Sequence, residues 1–140
     1  MSNSRLTETE LHRVEDKEAL IRAFPVLAEW LQRAIRYSGG RCTLQDMADP
    51  VLEWWIIGDT EIRAILVTEE LVYPSGEAWL SISFAGGHGH RDWVHHIDDF
   101  RAIAAERGLM GVQCEVRKGF APALKAAGMR ETHRRLEIRA

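Results

Sequence analysis

The chain has 140 residues, 46% hydrophobic and 28% charged, with 18 basic and 21 acidic side chains for a net charge of −3. That length suits one domain able to bury a core without a metal or disulfide, and the charge balance argues against a general nucleic-acid binder, which carries a clear basic excess. Two cysteines without CxxC spacing, Cys42 and Cys114, argue against a disulfide framework, and no apolar run approaches the roughly 18 residues that a membrane span requires.

The first ten residues are polar and lack the apolar core of a signal peptide, so a cytoplasmic location is expected. No repeat or linker divides the chain, which reads as a single domain over 1–140. Leu11 to Glu15 is expected as a first strand. Asp16 then caps a helix whose apolar residues, Leu20, Ile21, Phe24, Leu27, Ala28, Leu31 and Ile35, recur in steps of three and four. Pro25 must kink that helix or split it in two. Thr43 to Ala48 is a short helical signal, with Asp46 at the capping-box position.

From Val51 the pattern turns to strands. Leu52, Trp54 and Ile56 alternate with Glu53 and Trp55, and the Gly58-Asp59-Thr60 turn leads into Glu61–Leu71, which predicts an antiparallel hairpin. The adjacent Trp54 and Trp55 should point to opposite faces of the sheet. After the Tyr73-Pro74-Ser75-Gly76 turn, Glu77 to Phe84 is the next strand. Trp79, Ser81 and Ser83 are expected on one face, Leu80, Ile82 and Phe84 on the other.

A glycine loop follows, Ala85-Gly86-Gly87-His88-Gly89-His90-Arg91, leading into a helix expected over Asp92 to Arg107 and closed by Gly108. Leu109 to Val116 reads as a strand, Phe120 to Ala127 as a short helix ended by Gly128, and Met129 to Arg139 as a final strand. Arg130, Arg134, Arg135 and Arg139 there read as a solvated face. The order is β, helices, three strands, glycine loop, α, β, α, β. It predicts an α/β domain with helices flanking a mixed, mostly antiparallel twisted sheet.

This order resembles the GNAT family of acyl-CoA N-acyltransferases from about Leu11 onward. The matching pieces are the strand to Phe84, the loop Gly86 to Arg91, the helix to Arg107, the strand to Val116 and the stretch Gly119 to Met129, which opens on a Gly-aromatic pair. The pattern is similar to that of small GNAT-like proteins encoded by phages and prophages. The resemblance implies acetyl-CoA as cofactor. It places Ser83, Ala85, Gly86, Gly87, His88, Gly89, His90 and Arg91 along the cofactor, with the pantetheine arm added to an opening between Ser81–Ala85 and Val112–Val116. The physical case for the loop stands beside it: glycines let backbone N–H groups approach a pyrophosphate, and a helix N-terminus adds positive charge. Only the Gly-x-Gly part of the family's phosphate motif is present, at Gly87-His88-Gly89, and Phe84 stands where an Arg or Gln is usual.

Acetyl transfer to an amine needs a base, an oxyanion donor and a proton for the leaving thiolate. Base candidates are Glu69, Glu70, Glu77 and Glu115. In the family a tyrosine commonly protonates the thiolate. Lys125 stands at its place here, and the only tyrosines, Tyr37 and Tyr73, lie in other segments. Glu115 and Lys125 are therefore the catalytic candidates. His88, His90, His95 and His96 are crowded, yet no zinc spacing accompanies them, so no metal is expected. Readings of different classes stay open. One is an acetyltransferase acting on a small-molecule or protein amine. Another is a degenerate GNAT-like module of phage origin, virion-associated or bound to a phage protein, with a homodimer filling the sheet edge. The third is a small-molecule sensor.

Overall fold

The computed structural model describes residues 9–37, 39, 42–115, 121–132 and 136–140. Strand β1 (Glu10–Arg13) leads to helices α1 (Lys17–Ala23) and α2 (Val26–Tyr37), split at Pro25 as its missing N–H requires. Asp16 caps α1 by accepting from the Ala19 N–H at 3.0 Å. Thr43 and Asp46 form the expected reciprocal box, at 2.7 Å and 3.2 Å, before a 3-10 turn over Asp46–Ala48.

Strands β2 (Glu53–Gly58), β3 (Ile62–Val72) and β4 (Ala78–Gly87) form an antiparallel meander. Helix α3 (Ile97–Glu106) crosses back over the sheet to β5 (Val112–Cys114), which runs parallel to β4. The order β1-β2-β3-β4-β5 makes a mixed five-stranded sheet, and α4 (Ala121–Ala126) follows.

Each face of the sheet carries its own core. Leu27, Trp30, Leu31 and Ile35 of α2 pack with Met47, Trp54, Ile65 and Val67. Ile97, Phe100 and Ala104 of α3 pack with Trp55, Ile57, Leu66, Leu80, Ile82 and Leu124. The two adjacent tryptophans do divide between the faces, and each finds a partner for its indole N–H. Trp54 donates to the Met47 carbonyl at 2.9 Å and Trp55 to Thr68 Oγ1 at 2.8 Å.

Four expectations need correction. First, Gly86 and Gly87 belong to β4, not to a loop, because β3 is long enough to pair with them through Ile65 and Ala64. Second, the helix expected from Asp92 begins at Ile97, after two 3-10 turns over His90–Asp92 and Val94–His96. Burying both Trp93 and His96 holds this stretch on a tighter path, and Trp93 leaves helical geometry at φ −137°. Third, the register slips between Val67↔Phe84 and Thr68↔Ile82, so Ser83 is an extra residue in β4. That bulge swings Phe84 into the core under α2, while Leu80 and Ile82 stay in the core under α3. Fourth, no strand forms among the described residues after Cys114. Leu136 and Ile138 are 91% and 97% exposed, and 133–135 lie outside the described residues. The first strand also sits slightly earlier than expected. Among the described residues, no helix is long and apolar enough to cross a membrane.

Candidate functional site

The feature that sets β4 apart is where its neighbour stops. Among the described residues, the parallel pairing with β5 runs Leu80↔Val112, Ser81↔Gln113 and Ile82↔Cys114 and goes no further than the bulge. Among the described residues, Ser83 to Gly87 have β3 on one side and no registered β5 partner on the other. A bulge frees backbone groups from the ladder and re-aims side chains. Here Ser83 Oγ donates to Glu69 Oε1 at 3.1 Å. The bulge thus engages a half-buried carboxylate of the neighbouring strand β3.

Among the described residues, two large side chains expected near this edge pack elsewhere. Phe84 packs into the α2-side core, and Trp79 lies against Gly111, where an added Cβ would meet its ring at 3.0 Å. Val116 and the Gly119-Phe120 pair fall outside the described residues.

The glycines of the expected cofactor segment differ in role. Gly86 is where helix α2 rests directly on the sheet: a Cβ there would lie 2.9 Å from both the Cβ and the carbonyl oxygen of Trp30. A Cβ at Gly87 would lie 2.7 Å from the Arg63 carbonyl. Gly89 has open space around it. His88 is exposed and meets Trp30 edge-on at 5.3 Å between ring centroids, and Arg91 is exposed. The Asp92 N–H donates to the Gly89 carbonyl at 3.1 Å, closing the turn. Ala85 packs against the α3-side core, and of His90 only the backbone is described. Ser83, Ala85, Gly86, Gly87, His88, Gly89 and Arg91 thus form one continuous edge and turn.

The catalytic candidates do not gather there as a set. Glu115 follows β5 directly and is exposed. Lys125 stands on the exposed side of α4, 3.5 Å from Glu131, as a surface ion pair. Tyr73 accepts from the Gln113 side chain at 2.7 Å, beyond the end of β3. The Cys114 thiol is pushed up to about 11 by burial, so it stays protonated near neutral pH and is no nucleophile.

The chain-order reading missed two polar groupings. Glu53 gathers Arg13 and Arg107. Thr9 joins His95 and His96, with His96 Nδ1 bonded to Asp99 at 2.6 Å. The His96–Asp99 spacing was a local signal for the second. Nothing local marks Thr9, which is far away in sequence. Among the described residues, no group of three or more His, Cys, Asp or Glu side chains is placed to hold a metal.

No family model matches the chain, and no curated protein matches its sequence. Solved structures do match its shape. A predicted acetyltransferase from Clostridium acetobutylicum, crystallised with acetyl-CoA, superposes with a TM-score of 0.64 at 15% identity, over 94% of this chain and 96% of that one. The ribosomal-protein-alanine N-acetyltransferase of Brucella melitensis biovar Abortus 2308 gives 0.63 at 17% identity, over 94% and 99%. Glucosamine-6-phosphate N-acetyltransferase from Arabidopsis thaliana gives 0.61 at 9% identity, over 94% and 97%. With its mixed five-stranded sheet flanked by helices and matched over nearly its whole length, this chain has the GNAT acyl-CoA N-acyltransferase fold.

Proposed function

We propose that the chain is an acetyl-CoA-dependent N-acyltransferase that uses the open edge of β4 as its cofactor site. The observation that carries this reading is the end of β4–β5 pairing at the Ser83 bulge, with neither Trp79 nor Phe84 filling the space beyond. An extended amide chain such as pantetheine can add to a free strand edge by backbone hydrogen bonds, as peptides do. At the far end of that edge, an added Cβ at Gly89 would meet no neighbouring atom, and the exposed Arg91 offers a positive charge suited to a phosphate.

Bound acetyl-CoA supplies the activated acyl group. Backbone N–H groups around the Ser83 bulge are suited to hold a developing oxyanion. Glu69, oriented by Ser83, is suited to take the proton of the incoming amine, directly or through water. Forming the C–N bond and breaking the C–S bond would leave a thiolate that needs a proton, which solvent would supply or Lys125 if it left its ion pair with Glu131. Glu115 is the second base candidate, on the β5 side of the opening. Substrates in this reading are acyl-CoA and a small-molecule or protein amine.

Calorimetry with acetyl-CoA tests it. We expect micromolar affinity, reduced at least tenfold by Gly89→Glu, which adds a negative charge where nothing else is disturbed. Gly87→Glu is unsuitable as a control because the Arg63 carbonyl blocks it. No binding at millimolar acetyl-CoA would sink the proposal and leave the chain as a non-catalytic module on this fold.

The exposure of Leu136 and Ile138, alternating with Glu137 and Arg139, favours a further association. In a homodimer, these residues of a second copy would cover the outer edge of β5. Sedimentation should show a dimer that Leu136→Asp with Ile138→Asp converts to monomer. A monomeric wild type removes this reading without touching the first.

A further inference from the structure

Thr9, just before β1, meets the two histidines that precede α3. Its Oγ1 lies 2.8 Å from His96 Nε2 and 2.9 Å from His95 Nε2. On the other side of the His96 ring, Nδ1 lies 2.6 Å from Asp99 Oδ2. With both rings neutral, the groups themselves fix the direction of these three bonds. An ionised carboxylate only accepts, so His96 Nδ1 carries the proton and donates it to Asp99. The Nε2 of the same ring is then an acceptor, and it takes the Thr9 hydroxyl proton. A hydroxyl has one proton to give, so the His95 Nε2–H donates to Thr9 Oγ1.

That order of donation has a chemical consequence. Asp99, His96 and Thr9 stand as carboxylate, imidazole and hydroxyl, each within hydrogen-bond reach of the next. In this arrangement the imidazole can take the hydroxyl proton, the oxygen becomes a competent nucleophile, and the carboxylate holds the ring in the required tautomer. His96 is buried, so packing as well as Asp99 fixes its ring. Thr9 is half-buried and borders an open groove of about 660 Å³.

We propose that Thr9 is a nucleophile that cleaves small carboxylic esters bound in this groove, with His96 as its general base and Asp99 as the residue that positions His96. This activity stands apart from the acetyl-CoA reading and needs no cofactor. Leu11, Ala102 and Ile103 give the groove an apolar wall for a short acyl chain. Glu10 and Glu106 make it acidic, so neutral or cationic esters enter more readily than anionic ones.

In the first step Thr9 Oγ1 bonds to the ester carbonyl carbon as its proton passes to His96 Nε2. The carbonyl oxygen becomes an oxyanion, and the His95 Nε2–H, already at Thr9 Oγ1, is a donor beside it. The bond to the leaving oxygen then breaks. That oxygen takes the proton from His96 and departs as an alcohol, and the acyl group stays on Thr9 as an ester. Water repeats the sequence. His96 takes its proton, its oxygen bonds to the acyl carbon, and the proton returns to Thr9 Oγ1 as the carboxylic acid leaves. One ester and one water give one alcohol and one acid.

The test uses the full chain and p-nitrophenyl acetate, with no acetyl-CoA present. Release of p-nitrophenolate is followed, and the protein is quenched in acid and mapped by peptide mass spectrometry. We expect an acetyl group on Thr9. Exposed histidines also attack this ester directly, and that background persists without Thr9. Above it, Thr9→Val, which keeps the shape and removes the hydroxyl, and His96→Gln should each lose at least about a hundredfold in rate. Asp99→Asn should lose at least about tenfold, because the ring is no longer held in its tautomer. Thr9→Ser should retain the activity and carry the acetyl group at position 9, a rescue that a merely structural tie does not predict. Urea midpoints check that each variant is folded. If Thr9→Val is not, the position of the acetyl group in wild type and Thr9→Ser decides. A rate unchanged in a folded Thr9→Val, or acetyl groups found only on histidine or lysine, overturns the proposal.

Discussion

Replacing Glu53 with alanine should lower the unfolding free energy by about 2–3 kcal/mol near neutral pH, the cost of leaving partly buried cations without their carboxylate. Glu53 is the hub of the largest ion network among the described residues. Arg107 grips it at both oxygens, at 2.6 Å and 3.0 Å, and also reaches Glu70 at 3.2 Å. Arg13 meets it at 3.0 Å from β1. The Glu53 side chain is only 12% exposed, whereas Arg13 is 62% exposed, so Arg107 carries most of the effect. The group ties β1, β2 and β3 to the residue after α3, and the Arg107 guanidinium also lies over Trp55, 6.0 Å from the ring centroid.

The same substitution has a pH signature. The hydrogen bond from Arg107 and the charges of Arg107, Arg13 and Lys17 hold the Glu53 carboxyl below its usual range, against the opposing pull of burial. A depressed carboxyl contributes stability that is complete above its unfolded-state pKa, about 4.3, and lost as the pH falls through the folded value. Urea midpoints of wild type and Glu53→Ala should therefore converge below about pH 4 and stand furthest apart at pH 6–7. A gap that stays constant down to pH 3 would mean packing, not charge, accounts for the loss. Glu53→Gln should recover part of it, because the amide oxygen still accepts from Arg107.

The sequence made some of this molecule legible because certain signals are local. Asp16 three residues before Ala19, Pro25 inside an apolar stripe, and the Thr43–Asp46 box each act within one turn of chain, and each appears as expected. The meander and the single crossover by α3 also follow from hydrophobic period and turn residues. The bulge at Ser83 was not legible. Read by strict alternation, Ile82 and Phe84 share a face, and only the pairing register with β3 shows that one residue is extra. The 3-10 turns before α3 escaped for a related reason. The sequence from Asp92 reads as helix, but two of its own side chains, Trp93 and His96, are buried against distant parts of the fold and hold it off the helical path. Ion and hydrogen-bond hubs such as Glu53 and Thr9 join residues far apart in the chain, beyond any window of periodicity. The proposed cofactor segment was half legible: its glycines were visible, but not which serve packing and which leave space.

That distinction makes Gly86 the glycine of the segment on which the packing of helix α2 depends. Gly86→Ala should cost about 2 kcal/mol and Gly86→Val about 3, within the usual range for overpacking a close contact. Gly89→Ala should stay within roughly 0.5 of wild type, as an unobstructed surface change. A Cβ at Gly86 meets the Trp30 Cβ and carbonyl oxygen, each 2.9 Å away, and a helix backbone cannot turn aside as a flexible side chain can. Helix α2 would have to lift from β4, loosening Leu27, Leu31 and Ile35 from Ile65 and Val67. Gly86→Ala also stiffens the unfolded chain, which returns about 0.4–1 kcal/mol, so the alanine variant understates the steric cost. His88 rests against Trp30, so the same displacement should weaken acetyl-CoA binding even under conditions where the variant remains folded. Urea unfolding and calorimetry on Gly86→Ala separate the two effects. A variant as stable as wild type would show that α2 can slide over β4. A destabilised variant with wild-type affinity would show that the turn over His88–Arg91 is held independently of α2.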